Sequence, residues 1–418
     1  MENIEGREGY KKTELGWLPV GWEVCNLGSI LKEAQYGLSE QINHRGTYPI
    51  LRMNNLSNGK IDTSDLKYIN IDDKTFKKFK LYPNDILFNR TNSADLVGKT
   101  SIVTFDGNFV FASYLLRLKI NFLMALPPFI NYFFNWSETQ NKLKKLASKG
   151  VSQSNINPNN LKRLFIYLPP LPEQQKIAQI LSCWDKAIEK TEKLIDARTR
   201  LKKGLMQKLL TGKKRFKEFE GKVWEKLKLS DFLISSPRPI DKPDKNYLAL
   251  GIRSHGKGTF LKPASDPKKI EMTTLYQVKE NDLIVNITFA WEAAIAIAKK
   301  EDEGALVSHR FPTYTFDRNI VIPEYFKYVI LQKSFVYKLG LISPGGAGRN
   351  RVLDKKDFGN LIVTVPCLKE QQKISFILTA CDREIELLEN KLSSLKDQKK
   401  GLMQKLLTGQ IRVKTEGI

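Results

Sequence analysis

The sequence predicts an α+β chain: two mixed α/β domains in tandem, each followed by a long helix, the two helices pairing as an antiparallel coiled coil with pseudo-two-fold symmetry. Three observations predict it. First, the block Lys203-Gly-Leu-Met-Gln-Lys-Leu-Leu-Thr-Gly212 recurs unchanged at Lys400 to Gly409, and Glu173-Gln-Gln-Lys-Ile177 recurs at Glu370 to Ile374. The offsets, 400 minus 203 and 370 minus 173, are both 197, so nothing separates the landmarks differently in the two copies; a fixed period marks a structural duplication. Second, apolar residues before the repeated blocks follow coiled-coil spacing. Third, the segments between them carry short alternating or compact apolar runs, the mark of strands.

The first unit opens on Trp17-Leu-Pro19 and Trp22-Glu23, the second on Trp224-Glu225 with Leu227 and Leu229, each an expected strand. Strand runs continue at 48–52, 85–88 and 101–104, with counterparts at 248–250, 282–285 and 294–297. Asn84-Asp85 and Asn281-Asp282 are turn dipeptides leading into buried strands. Short apolar helices are expected near 128–134 and 323–331.

Leu168-Pro-Pro-Leu-Pro172-Glu173 and Val365-Pro366-Cys-Leu-Lys-Glu370 mark two helix starts, since proline sacrifices a donor that the first turn leaves unpaired and glutamate suits the positive end of the dipole. The expected seam of the first helix is Ile177, Leu181, Trp184, Ile188, Ile195, Leu201, Leu205 and Leu209, interrupted by Thr191 and Arg198. That of the second is Ile374, Leu378, Cys381, Ile385, Leu388, Leu392, Leu395, Leu402 and Leu406, broken at Lys399. Gly212 and Gly409 can cap the ends in left-handed conformation. Gly204 and Gly401 lie inside the helices and predict close helix approach or a bend. The expected domains are 1–170, a helix over 171–212, a linker over 213–222, a second domain over 223–365, and a second helix with its tail over 366–414.

With 418 residues the chain can bury two cores. Its 68 Lys and Arg stand against 45 Asp and Glu, a formal net charge of +23 that makes a polyanion, above all nucleic acid, the expected partner. Cys25, Cys183, Cys367 and Cys381 have no metal-ligand spacing and fit a reducing cytoplasm. The start Met1-Glu-Asn-Ile-Glu-Gly6 is not laid out as an export leader, and no apolar run is long enough to span a membrane, so a cytoplasmic, membrane-free protein is expected.

Catalytic motifs are not expected to complete. Ser93-Ala-Asp-Leu-Val-Gly98-Lys99-Thr100 is P-loop-like, but a strand is expected to follow it where phosphate binding needs a helix. Asn157-Pro158-Asn159 lacks the second proline and the aromatic residue of an amino-methyltransferase motif and is expected to be a turn. Pro243-Asp244 has no matching downstream Glu-x-Lys, and His44, His255 and His309 are not spaced as metal ligands. Of these only His309 follows a serine whose repeat equivalent, Ser113, also precedes an extended segment.

Polar and planar side chains at loop positions remain. In the first domain they are Arg52, Asn54, Asn55, Arg90, Asn92 and Ser93, with Lys149, Ser152, Gln153 and Asn155 before the final strand. In the second they are Arg253, His255, Lys257, Trp291, His309, Arg310, Arg349, Asn350 and Arg351. Arginine pairs with guanine, and asparagine or glutamine with adenine, by two hydrogen bonds in the major groove, while lysine and serine anchor phosphate. These clusters are the expected DNA contacts, with ordinary solvated loops the alternative for any one residue.

A Pro-x-x-x-Glu-Gln-Gln-x-Ile start and a Leu-Leu-Thr-Gly end, repeated after each of two divergent domains, resemble the specificity subunit of type I restriction-modification systems, and the resemblance covers nearly the whole chain. Its motif maps onto Pro172, Glu173, Gln174, Gln175 and Ile177 and onto Glu370, Gln371, Gln372 and Ile374; Lys369 replaces the proline in the second copy. The resemblance implies a non-catalytic DNA-recognition subunit, each target recognition domain reading one half of a bipartite asymmetric site in double-stranded DNA. It implies helices that set the spacer, with Glu173, Gln174, Gln175, Glu370, Gln371 and Gln372 at the docking surface for two methyltransferase subunits. Restriction subunits with translocase and nuclease activity would join. S-adenosylmethionine, ATP and Mg are then expected on partner subunits, with no cofactor in this chain. The alternative from a different class is a self-contained DNA-modifying or DNA-cleaving enzyme.

Overall fold

The computed structural model describes residues 6, 8–14, 16–93, 95–149, 154–345 and 351–415. They form two compact units, one of residues 1–192 with 390–418 and one of residues 193–389. The divisions fall inside the two long helices. The unit containing the first mixed domain is therefore completed by the last part of the chain.

In the first unit a six-stranded sheet runs in the order Leu31–Tyr36, Leu115–Ile120, Ile86–Asn89, Thr100–Ile102, Gly59–Ile61, Leu56–Ser57. The expected runs at 48–52, 85–88 and 101–104 all appear as strands, Tyr48–Leu51, Ile86–Asn89 and Thr100–Ile102, their ends shifted by one or two residues. The helix Pro127–Asn135 (α1) has prolines in its first turn and buries Phe129, Ile130, Phe133 and Phe134 against the sheet's Phe88, Leu116 and Leu118. The expected entry over 17–23 is a strand Gly16–Pro19, antiparallel to Tyr10–Thr13, followed by Glu23–Asn26 as the opening strand that pairs antiparallel with Phe165–Leu168, with Tyr167 opposite Val24.

A separate three-stranded sheet of the first unit runs Val110–Phe111, Tyr48–Leu51, Lys67–Ile69, and the second unit likewise has two larger sheets. One has the order Leu233–Ser235, Thr313–Phe316, Leu283–Val285, Ile295–Ile297. The other has Pro239–Asp241, Thr274–Gln277, Leu306–Val307, Tyr247–Ile252, Thr259–Ser265. Its opening strand, Glu225–Lys228, pairs with Ile362–Val365 as the first unit's does with its own. The asparagines of the two turn dipeptides take left-handed backbone, φ 74° at Asn84 and 67° at Asn281, and the aspartate beside each bonds back to the turn. Asp85 accepts from Tyr82 N and Asp282 from Lys279 N, at 3.0 and 2.8 Å.

The long helices are Leu171–Leu209 (α2) and Leu368–Leu407 (α4), on either side of a short helix Pro323–Val329 (α3). At 1.5 Å per residue each is about 60 Å long. Both end where expected, on Gly212 at φ 67° and Gly409 at φ 71°. Within the first unit, Ile177 and Leu181 of α2 join Met403, Leu406 and Leu407 of α4 in one apolar cluster. Within the second, Ile374 and Leu378 of α4 join Leu209 and Leu210 at the end of α2.

Of the polar interruptions of the seam, Thr191 is buried and donates to Ala187 O at 2.8 Å, while Lys399 and Arg198 form ion pairs. Lys399 meets Asp185 at 2.6 Å and Lys396 meets Glu192 at 2.8 Å, rising on one helix while falling on the other, so the two segments are antiparallel. In the second unit Lys202 pairs with Asp382 and Arg198 with Glu384.

Three expectations are corrected. Leu201 is 47 % exposed and lies outside the seam, because it follows Ile195 by six residues; Lys202, seven on, takes the facing position. A methyl group on Gly204 or Gly401 would meet nothing within 4 Å, so close approach does not explain these glycines. Asn157-Pro158-Asn159 opens a short helix, Pro158–Lys162, where a turn was expected, with the Asn157 side chain accepting from Asn159 N at 2.8 Å.

Candidate nucleic-acid interface

The start of each long helix is a buried polar junction. Glu173, 3 % exposed, accepts from Trp22 Nε1 at 2.8 Å and from Arg412; Glu370, 1 % exposed, accepts from Trp224 Nε1 at 3.2 Å and from Arg215. Gln174 and Gln371 are fully buried. Each binds a loop of its own unit: Gln174 takes Leu126 N and gives to Met124 O and Pro169 O, while Gln371 takes Ile322 N and gives to Ile320 O and Pro366 O. These four side chains therefore present no surface to another subunit, because their polar atoms hold helix, strand and loop together. Of the six motif positions only Gln175 and Gln372 are exposed.

A second pair of junctions joins each domain to the helices. Tyr132 donates to Asp185 at 2.7 Å and Tyr328 to Asp382 at 2.6 Å, each carboxylate also holding a lysine. Burial, with the adjacent carboxylate, pushes both phenols well above their ordinary range.

The candidate DNA-contacting loops share one backbone frame in the two units. Arg90 N donates to Tyr114 O at 3.1 Å, and Arg90 O accepts from Ile156 N at 2.8 Å. Ile287 N donates to Arg310 O at 3.0 Å, and Ile287 O accepts from Leu353 N at 2.8 Å. Positions 90 and 287, and 156 and 353, obey the 197-residue offset. The side chains on the frame differ. Arg90 lies over the exposed ring of Tyr36 at 4.8 Å, whereas Ile287 is buried.

In the first unit the frame brings Arg90, Asn92 and Asn155 together. Thr91 pairs with Asn155 and Asn92 with Ser154 across the ladder, and Asn92 Nδ2 contacts Met53 Sδ at 3.1 Å. Asn54 and Ser93 are exposed nearby in sequence. Asn55 is not available: it is 2 % exposed, accepts from Arg52 N and donates to Asp62 O and Asp65 O. Arg52 is turned inward as well, its Nη2 on Asp65 Oδ2 at 2.8 Å, which holds that carboxyl below its ordinary range. Of Lys149 only the backbone is described, in the strand Ser148–Lys149, and Ser152 and Gln153 lie outside the described residues.

In the second unit the loop following Leu283–Val285 gathers the expected residues. His255 N donates to Glu292 O at 2.6 Å, and Arg351 lies 5.2 Å over the Trp291 ring, whose Nε1 donates to Thr288 O. His255 has φ 64°, and with Arg253, Lys257, His309 and Arg310 it is exposed. Arg349 and Asn350 lie outside the described residues. Tyr36 and Phe260, the ring beneath Arg253 at 4.8 Å, were missed by sequence reading. Nothing in a local pattern marks them, since each meets its arginine only once the strands pair.

The P-loop-like segment runs into the strand Thr100–Ile102, antiparallel to Ile86–Phe88, where phosphate binding needs a helix. All four cysteines are free thiols. Among the described residues no group of histidine, cysteine, aspartate and glutamate could hold a metal ion.

Residues 19–197 and 222–397 each match the family described as the type I restriction modification DNA specificity domain. Over 424 residues, 98 % of both chains, the sequence is 31 % identical to a Methanocaldococcus jannaschii protein provisionally described as the MjaX type I restriction enzyme specificity subunit. It is 26 % identical, over 97 % of both chains, to the MjaVIII specificity subunit of the same organism. The fold resembles the crystal structure of the type I restriction-modification S subunit from M. genitalium, with a TM-score of 0.58 at 18 % identity over 92 % of this chain and 96 % of that one. Two matched segments, a full-length relative and the doubled architecture agree: the chain belongs to the family of type I restriction-modification specificity subunits, with two DNA specificity domains in tandem.

Proposed function

We propose that the chain is the DNA-recognition subunit of a type I restriction-modification complex, and that its two domains read the two halves of a bipartite, asymmetric site in double-stranded DNA. The observation that carries this reading is the shared frame at positions 90 and 287 with different side chains upon it. One docking geometry then presents two chemistries, which is what reading two unlike half-sites requires. The net charge of +23 supplies the sequence-independent attraction to phosphate.

The long helices set the spacer between the half-sites and carry two methyltransferase subunits, with Gln175 and Gln372 as the exposed motif residues at that contact. The chain itself is non-catalytic. S-adenosylmethionine, ATP and Mg belong to the methyltransferase and restriction partners, and the complex acts on DNA in the cytoplasm. Among the described residues no helix is long and apolar enough to cross a membrane.

Methylation mapping of DNA from cells carrying the intact system tests the reading. A single bipartite motif that disappears when this gene is deleted supports it. Methyl transfer or cleavage by the purified chain alone would replace it with the self-contained enzyme.

A further inference from the structure

In the second unit an open cleft of about 360 Å³ is lined by residues that adjoin the candidate DNA contacts Arg253, Trp291 and Arg310 in sequence, among them Ser254, Glu292 and Phe311. Its walls include Phe260, Phe289 and Phe311, and its polar lining includes Asn286, Ser254 and Glu292. These residues come from three segments that the sequence keeps far apart. Phe260 lies on the strand Thr259–Ser265 opposite Gly251, where a side chain larger than hydrogen would collide with its ring. Phe289 and Phe311 pack at the edge of an apolar cluster containing Ile252, Ile284 and Ala294. Phe289 and Phe311 are thus held in place from behind.

The polar groups are equally ordered. Asn286 is 9 % exposed, and its Oδ1 accepts from Thr288 N at 3.1 Å, which leaves the Nδ2 donors pointing elsewhere; among the described residues no hydrogen bond engages them. Ser254 Oγ donates to Glu292 Oε2 at 2.8 Å, leaving the other carboxylate oxygen as an acceptor. Arg253 and Lys262 lie against Phe260, at 4.8 and 5.3 Å from the ring centre, and put positive charge at the rim.

Aromatic walls, one fixed amide donor, one carboxylate acceptor and a cationic rim match one ligand chemistry: a planar heterocycle with mixed donor and acceptor edges, attached to a phosphate backbone. We propose that this cleft receives a single nucleobase unstacked from the second half-site. The proposal rests on the reading of the chain as a DNA-recognition subunit. The first unit offers an internal comparison. Its equivalent asparagine, Asn89, has no exposed surface and donates its Nδ2 to Leu96 O at 3.2 Å. Asn92 stands there at the position of Phe289, under the 197-residue offset. Base capture is therefore assigned to the second unit.

A site that captures an unstacked base binds more tightly when that base is already unpaired, because the duplex no longer resists extrusion. The experiment places single mismatches, one position at a time, through both half-sites of the mapped motif, leaving out the methylated positions. Affinity is measured for the full chain, alone and with methyltransferase subunits. One position of the second half-site should bind roughly tenfold tighter or better when mismatched, and no position of the first should. The gain should fall below about twofold in Phe311→Leu and in Asn286→Asp, which keeps the acceptor for Thr288 N but removes the free donors. Should Phe311→Leu disturb folding, Asn286→Asp reads the same contact. Site-selective binding with no mismatch gain in the second half-site, or a gain that survives both substitutions, overturns the cleft assignment alone. A chain that binds every duplex equally overturns it together with the proposed function.

Discussion

The guanidinium of Arg412 closes on the carboxylate of Glu173 with Nε 2.5 Å from Oε1 and Nη2 3.0 Å from Oε2, joining residues 239 positions apart. Arg215, 197 residues earlier, grips Glu370 in the same two-bonded way, at 3.0 and 2.6 Å. Removing one member of such a pair leaves a charge buried with too few partners. Arg412→Ala should lower the stability of the first unit by about 2–3 kcal/mol, less than a fully buried pair because the arginine is partly exposed and Trp22 still donates. Urea unfolding measures this. A change under about 0.5 kcal/mol would mean that water serves Glu173 equally well.

Gly204 and Gly401 face open space, so alanine at either position should bring only its higher helix propensity. Each substitution should raise stability by about 1 kcal/mol in the same unfolding assay. Unchanged unfolding with a lost methyltransferase complex would instead show that the bare surface is occupied by the partner.

Arg90 presents its guanidinium from the frame of the first unit. Arg90→Ala should relax the first half-site by about 1–3 kcal/mol and leave the second intact. The salt dependence of binding should have a log–log slope steeper than about 3. Weakening on all sequences alike, with a shallower slope, would assign Arg90 to phosphate.

The midpoints of the helices offer a test of the ruler. Seven residues inserted after Glu192 and seven after Glu389 keep the seam in phase and lengthen each helix by about 10 Å. The unspecified spacer of the methylated motif should grow by at most about 3 base pairs, at 3.4 Å each, while both half-sites keep their bases. An unchanged spacer in a stable assembly would remove the helices from that role.

A fragment of residues 1–222 lacks the part of α4 that completes the first unit, but it carries the identical block at 203–212 and Arg215 at the position of Arg412. Two copies can supply one another. The fragment should be a dimer in sedimentation, with Arg215→Ala weakening it, and with methyltransferase subunits it should modify an inverted repeat of the first half-site. A strictly monomeric fragment would show that the block does not substitute.

The scaffold was legible because duplication leaves a signal independent of any one side chain: a constant offset, two proline-marked starts, two glycine ends. The candidate recognition surface was legible only in part. Asn54 and Asn55 are alike in sequence, yet one is exposed and the other is buried under Arg52 and Asp65, since a single 3-10 turn points them apart. The motif glutamates show the same limit from the other side. A repeated Glu-Gln-Gln reads as a surface worth keeping for a partner, but its first two members are held by Trp22 and Trp224 and by loops some fifty residues upstream. Pairings across such distances have no local pattern to betray them.

Because the unit of residues 193–389 is continuous and the other is completed by residues 390–418, the unit begun first is the last to have all its residues synthesised. The ribosome releases the first mixed domain early, with Glu173 still missing its arginine and the apolar face of α2 uncovered. The later half can close upon itself once α4 has emerged as far as residue 389. The first-made half must wait until Arg412 leaves the exit tunnel. Nascent chains arrested between these points should expose the Glu173 end of α2 to proteases or chaperones, and a premature stop in the last thirty codons should damage the N-terminal domain most.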